Sequence, residues 1–169
     1  MAINKNKVIA AAQKYVQKGQ LDKAIKEYSK IVESEPEDVR TWLKIGDLQA
    51  KKGAVDDAIQ TYLRVAGHYS DQGFYLKAVA VFKQVLRLQP RFVEVHHKLA
   101  ALYKQLGLMT DARRQLEAAY QVLQQEERVN EALEVLQAMV ELDPDNVAIR
   151  IRLAETYSKE EQSAKAVEE

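Results

Sequence analysis

Three prolines, Pro36, Pro90 and Pro144, stand 54 residues apart in a chain of 169 residues. A fixed period of this kind constrains a fold more than any local propensity, because each copy must bury its apolar surface against the next. Each proline follows an amphipathic run of one design: residues 28–35, 82–89 and 136–143. Such a run reads as a helix end, which proline stops by removing a hydrogen-bond donor and crowding the preceding turn. Alanines form a second ruler. Ala24, Ala78 and Ala132 are again 54 apart, as are Ala58, Ala112 and Ala166, and between the two sets the step alternates between 34 and 20. With only six glycines and three prolines among abundant Ala, Leu, Lys, Glu and Gln, the chain reads as all-α.

The pattern predicts ten helices, near residues 3–18, 21–34, 38–52, 55–70, 74–88, 92–106, 109–124, 128–142, 146–159 and 163–169. Gly19, Gly53, Gly73 and Gly107 fall between helical stretches, where a left-handed residue ends a helix at little cost. Gly46, Ala100 and Ala154 each precede one of the ruler alanines by 12 residues, which suits close approach of two antiparallel helices.

Side chains on this frame repeat as well. Trp42-x-x-Ile45-Gly46 leads to Ala58-x-x-x-Tyr62, Leu99-Ala100-x-x-Tyr103 to Gly107 and Ala112, and Leu153-Ala154-x-x-Tyr157 to Ala166. With the step of 34, this resembles the tetratricopeptide-repeat (TPR) family along the whole chain. The resemblance implies a right-handed α-solenoid of about ten antiparallel helices, a single domain over residues 1–169, and a groove that holds a partner peptide or helix. The alternating step departs from a plain array of 34. It makes the helices near 55–70 and 109–124 serve two hairpins each, so they are expected to be more buried than those near 38–52 and 92–106. The last copy breaks off at residues 164–169, which leaves Ile149, Leu153 and Tyr157 short of cover and implies a longer natural chain or packing on another subunit.

Composition narrows the function. Lys+Arg and Asp+Glu are 25 each, a net charge of zero that argues against nucleic acid as the main partner. No cysteine is present, which excludes disulfides, thiolate metal sites and cysteine nucleophiles. The apolar stretch Val8–Ala12 behind Lys5 and Lys7 is too short for a secretion signal and reads as the first helix of a cytoplasmic protein. His96 and His97 are adjacent, so on a helix they point about 100° apart and cannot share a metal. Asp56-Asp57, Glu126-Glu127 and Glu160-Glu161 lie at or near predicted helix starts, where the dipole favours acids. No phosphate-binding or nucleophile-elbow motif occurs. The reading is a non-enzymatic adaptor without catalytic residues, cofactor or metal.

Partner contact is assigned by comparing the equivalent helices near 38–52, 92–106 and 146–159. Lys44, Lys98 and Arg152 form a basic row, and Leu43, His97 and Ile151 a mostly apolar one. Arg40 and Asp47 lie on the same side of the first of these helices. A basic row beside an apolar row suits an acidic amphipathic protein or peptide, the alternative being a solvated face. The positions matching a chaperone-tail clamp, Ile9 and Gln13, Leu43 and Asp47, His97 and Ala101, lack the Lys and Asn pair that such clamps use. A second reading is a module that self-associates through uncovered end helices. The segment Gly73–Phe82 also resembles bacterial motility and polarity adaptors, which implies a small Ras-like GTPase as partner.

Overall fold

The computed structural model describes the backbone from residue 4 to residue 168 and side chains as far as Lys159. Among the described residues there are nine helices and no strand: α1 (Lys5–Gln17), α2 (Leu21–Ser34), α3 (Val39–Lys52), α4 (Val55–Asp71), α5 (Tyr75–Leu88), α6 (Val93–Gln105), α7 (Met109–Gln125), α8 (Val129–Leu142) and α9 (Val147–Glu168). None of them is long and apolar enough to cross a membrane.

Two kinds of turn join the helices. In five of them an amide donates to a carbonyl five residues back: Gln20 to Tyr15 and Ala54 to Gln49 at 2.9 Å, Phe74 to Tyr69 and Leu108 to Tyr103 at 2.8 Å, and Arg128 to Leu123 at 3.0 Å. This closure requires a left-handed residue just before the donor. Gly19, Gly53, Gly73 and Gly107 supply it with φ of 69° to 83°, and Glu127, the 54-residue counterpart of Gly73, supplies it with φ of 56°. The other three turns carry the prolines. Glu35, Gln89 and Asp143 before them are extended, with φ of −128°, −136° and −145°, as the proline ring demands of its predecessor. After two of these turns a side chain restarts the helix: Asp38 Oδ1 accepts from the Thr41 amide at 3.2 Å, and Asn146 Oδ1 from the Ile149 amide at 3.3 Å.

The expected break between the ninth and tenth helices does not occur, and α9 runs unbroken to Glu168. Glu161 stands where Gly53 and Gly107 stand in the earlier copies, and no glycine or proline lies between residues 145 and 169. Nothing in that stretch favours the left-handed turn.

The chain forms two compact units, Met1–Pro90 and Arg91–Glu169. Inside each, sequential helices pack side by side: α1 on α2, α2 on α3, α3 on α4 and α4 on α5 in the first; α6 on α7, α7 on α8 and α8 on α9 in the second. This is an all-α fold of stacked helical hairpins, the solenoid class. Ala12, Ala24, Tyr28, Ile31 and Ile45 centre one core of the first unit, and Leu116, Leu123, Leu136 and Met139 that of the second.

The burial expected of the shared helices holds for one of the two. Six residues of α4 are buried compared with four of α3, but α6 buries seven of its 13 residues and α7 only six of its 17. Leu108 and Met109, placed at the start of α7, are exposed and form no second apolar face. On another side α7 carries Arg113, Arg114 and Glu117, charges that border a groove instead of a core.

Close approach sits where the spacing placed it. A Cβ added to Gly46 would lie 2.9 Å from Tyr62 Cε1. That ring is buried and its hydroxyl donates to Asp47 Oδ1 at 2.7 Å, so it cannot give way. In the second unit the same pair is Ala100 with Leu116, one methyl larger on one side and a smaller residue on the other. Gly46→Ala is expected to lower stability by about 1 kcal/mol, overpacking outweighing the gain in helix propensity. The loss should shrink in a Tyr62→Leu background, measured by urea unfolding of the double-mutant cycle. Glu127→Gly is expected to raise stability by roughly 0.5–1 kcal/mol by removing left-handed strain, a rise of a few degrees in melting temperature.

Candidate functional site

The second unit holds a groove of about 540 Å³ between α7 and α9. Ala118, Met139, Ala148 and Ile149 give it an apolar floor, and Arg113, Arg114, Glu117 and Arg152 stand on its walls. A further hollow of about 290 Å³ continues it past Gln121 and Gln124 of α7 and Glu155 and Lys159 of α9, sharing Glu117 and Arg152. From Thr110 to Gln124 the α7 wall is about 21 Å long.

Ion pairs tie the walls together. Arg152 Nη1 of α9 donates to both carboxylate oxygens of Glu117 on α7, at 3.1 and 3.2 Å. Arg113 Nη1 meets Asp143 Oδ2 at 3.2 Å, linking α7 to the loop before α9, while Arg114 reaches Asp111 within its own helix at 3.4 Å. Pairs this exposed are worth about 0.2–1 kcal/mol each. Carboxylates of an incoming segment can therefore exchange for them at little cost. Among the described residues, no three His, Asp or Glu side chains are placed to hold a metal ion.

Of the partner-contact residues picked out in the sequence, Arg152 alone lines this groove. Ile151 is 52% exposed and turned about 100° from it on α9. Lys98 pairs with Glu94 one turn back on α6 at 3.2 Å. His97, half-buried on α6, has Glu131 and Glu134 of α8 for electrostatic neighbours; burial holds its imidazole below the ordinary value, with Glu134 and Glu131 opposing and His96 reinforcing the shift. His96 itself is buried, with Nδ1 2.9 Å from Gln115 Oε1 of α7. In the first unit Arg40 and Lys44 are exposed on α3 and Leu43 is half-buried. The Lys44 ammonium lies 5.4 Å from the centre of the Tyr28 ring. Asp47 is engaged by the Tyr62 hydroxyl, which gives it a packing role. Burial first, and the Asp47 carboxylate second, push that phenol well above its ordinary value.

Arg113, Arg114 and Glu117 were missed from the sequence, although a signal for them exists. The counterparts of Arg113 and Glu117, 54 residues earlier, are Ile59 and Leu63, one buried and one half-buried. The groove wall lies where the second copy of the repeat replaces core residues of the first with charges.

Trp42 marks a smaller site in the first unit. Its Nε1 donates to the Pro36 carbonyl at 2.9 Å, and the Arg64 guanidinium stacks 4.3 Å above its ring. These contacts brace the proline turn.

Sequence profiles described as "Tetratricopeptide repeat" match residues 9–71 and 123–169, and one described as "TPR repeat" matches residues 68–107. No curated protein matches the chain significantly. Among solved structures, a crystal structure of MamA protein is 20% identical with a TM-score of 0.50, over 95% of this chain and 93% of that one. A thermophilic TPR protein of Thermus thermophilus is 18% identical with a TM-score of 0.32, over 90% and 98%. YrrB, described as a TPR protein with an unusual peptide-binding site, is 16% identical with a TM-score of 0.33, over 86% and 89%. At 20% identity the likeness to MamA speaks to fold alone.

The depressed His97 imidazole has a consequence for stability. A fold that favours the neutral ring keeps its full stability above the unfolded pKa and loses part of it as pH falls through the lower folded value. Urea midpoints are therefore expected to drop between about pH 7 and pH 5, and His97→Gln should flatten that drop. Glu131, held low by its hydrogen bond with Arg128, titrates below this window.

Proposed function

The chain belongs to the tetratricopeptide-repeat family, and on that footing we propose that it is a non-enzymatic scaffold that holds an acidic, amphipathic protein segment in the α7–α9 groove. One observation carries the reading: an apolar floor flanked by Arg113, Arg114 and Arg152. Apolar side chains of a bound helix would cover Ala118, Met139, Ala148 and Ile149, while its carboxylates meet the arginines. Lys44 and Lys98 hold the position of Arg152 on α3 and α6, with Arg40 and Leu43 beside the first and His97 beside the second, and each of these faces is a further candidate contact within its own unit. The zero net charge speaks for protein over nucleic acid, and the absence of cysteine suits a reducing, cytoplasmic setting.

Two finer readings rest on exposed apolar residues. Phe74 and Leu76, 50% and 68% exposed after the α4–α5 turn, belong to the segment that resembles motility adaptors and would serve a GTPase-type partner. Uncovered side chains on α9 favour self-association.

The groove is tested by isothermal titration with designed helical peptides of equal apolar content, one acidic and one basic. The acidic peptide is expected to bind, with affinity falling as salt rises. Arg113→Glu with Arg152→Glu should weaken it roughly tenfold or more at unchanged helicity, and adding Lys44→Glu and Lys98→Glu should leave a short peptide unaffected. Equal binding of both peptides, or full affinity in the Arg113/Arg152 variant, would sink the reading.

A further inference from the structure

The first two copies of the repeat agree at two places where the third departs from them. Leu48 and Leu102 are both buried, and the third copy has Thr156 in their position. Gly19 and Gly73 turn the chain left-handed without strain, and the third copy has Glu127, which holds a φ of 56° at a cost that glycine avoids. Both departures line one hollow of about 460 Å³, bounded by α7, α8 and α9. Threonine leaves open the room that a leucine would fill, and its hydroxyl is engaged by the Arg152 carbonyl at 2.7 Å. Strain retained beside an open hollow points to a use for the residue that bears it.

Leu123, Val129 and Ala132 give the hollow an apolar floor. Among the described residues the Glu127 carboxylate at its rim has neither an ion pair nor a side-chain hydrogen bond. Gln124 beside it donates its amide to the Tyr120 hydroxyl at 2.6 Å, which leaves the amide oxygen as a second acceptor. Two acceptors over an apolar floor suit a cation with an apolar group next to the charge, the arrangement of a free chain N-terminus. The place of the hollow agrees. It lies at the end of α7 and shares Gln124, Thr156 and Lys159 with the hollow that continues the α7–α9 groove. Arg113 and Gln124, eleven residues apart on α7, set the two ends of this path about 16 Å apart. Arginines stand at one end and the unpaired carboxylate at the other. A helix in the path is favoured with its positive N-terminal end at Glu127 and its negative C-terminal end at Arg113 and Arg114.

We infer that the α7–α9 groove is directional and anchors its partner by the N-terminus: the segment runs antiparallel to α7, with its first residue seated in the hollow at the α7–α8 turn. The free α-ammonium meets Glu127 and Gln124, the apolar side chain of the first residue covers Leu123 and Val129, and a carboxylate shortly after it meets Lys159. The inference rests on the reading of the groove as the seat of an acidic amphipathic segment, and it adds which end of that segment is recognised and which way it lies.

The test titrates one acidic helical peptide that begins with leucine in two forms, with a free α-amino group and N-acetylated. Acetylation favours the helix of the free peptide, so helicity alone would make the acetylated form bind better. The free form is instead expected to bind about tenfold more tightly. Glu127→Gln should abolish that difference by weakening the free form alone. Glu127→Gly should do the same while raising the melting temperature, which separates the anchor from any structural role. Thr156→Leu, which restores the residue of the other copies, should fill the hollow and bring the free form down to the acetylated one with helicity unchanged. A nitroxide on the peptide C-terminus should broaden the amide signals of Thr110–Arg114 and spare those of Gln124–Val129. Equal binding of the two forms with the salt dependence intact overturns the anchor and leaves the groove standing. Broadening at Gln124–Val129 instead overturns the direction. If neither form binds, the groove reading falls and this inference with it.

Discussion

The short helices of this chain depend on their neighbours. Eight of the nine described helices are 13 to 17 residues long, about the length at which an isolated helix is marginal in water. Each becomes stable by laying its apolar stripe on a neighbour, and the neighbour has to come close. That requirement accounts for the small residues at the crossings. Gly46 admits the Tyr62 ring, and their 54-residue counterparts Ala100 and Leu116 are buried in one core of the second unit. It also accounts for the turns, since antiparallel neighbours in contact leave room for a few residues only. Schellman closures at Gly19, Gly53, Gly73 and Gly107 supply that geometry. Glu127 adopts the same left-handed conformation without being glycine, held there because α8 must return onto α7.

The groove is where this rule is relaxed. On α7 the repeat keeps Ala112, Leu116, Ala119 and Leu123 for packing, and replaces the counterparts of Ile59 and Leu63 by Arg113 and Glu117. A face that no longer carries apolar side chains cannot close on α9. The two helices stand apart over a floor of Met139 and Ile149, joined by the Arg152–Glu117 bridge. This gap, walled by charges over an apolar floor, arises from the same substitutions that leave α7 less buried than α6.

Helix α9 carries three faces with different surroundings. Ile149 and Leu153 pack into the core of the second unit. Ala148, Arg152, Glu155 and Lys159 border the groove. Val147, Ile151 and Ala154 face solvent, and beside them the exposed Tyr157 accepts a hydrogen bond from Gln137 of α8. Most helices of the chain divide only into buried and solvated sides.

The amino-acid sequence alone determined the period, the helical class, the family and the positions of nearly every turn, because those depend on residue types that act locally: proline ends a helix wherever it falls, and glycine admits a left-handed turn. It also located the crossing at Gly46. It misplaced the last turn, reading Ala166 as a ruler mark although Glu161 offers no left-handed residue, and it overestimated the burial of α7. The site was legible only in part. Arg152 stood out through its recurrence with Lys44 and Lys98, whereas Arg113, Arg114 and Glu117 are departures from the repeat, and the search for shared rows passes over them. Asp47 and Lys98 looked available in one dimension and are engaged with Tyr62 and Glu94 in three. Whether a charged side chain meets solvent, a ring or a carboxylate depends on neighbours brought in from other helices, and only the tertiary structure decided that.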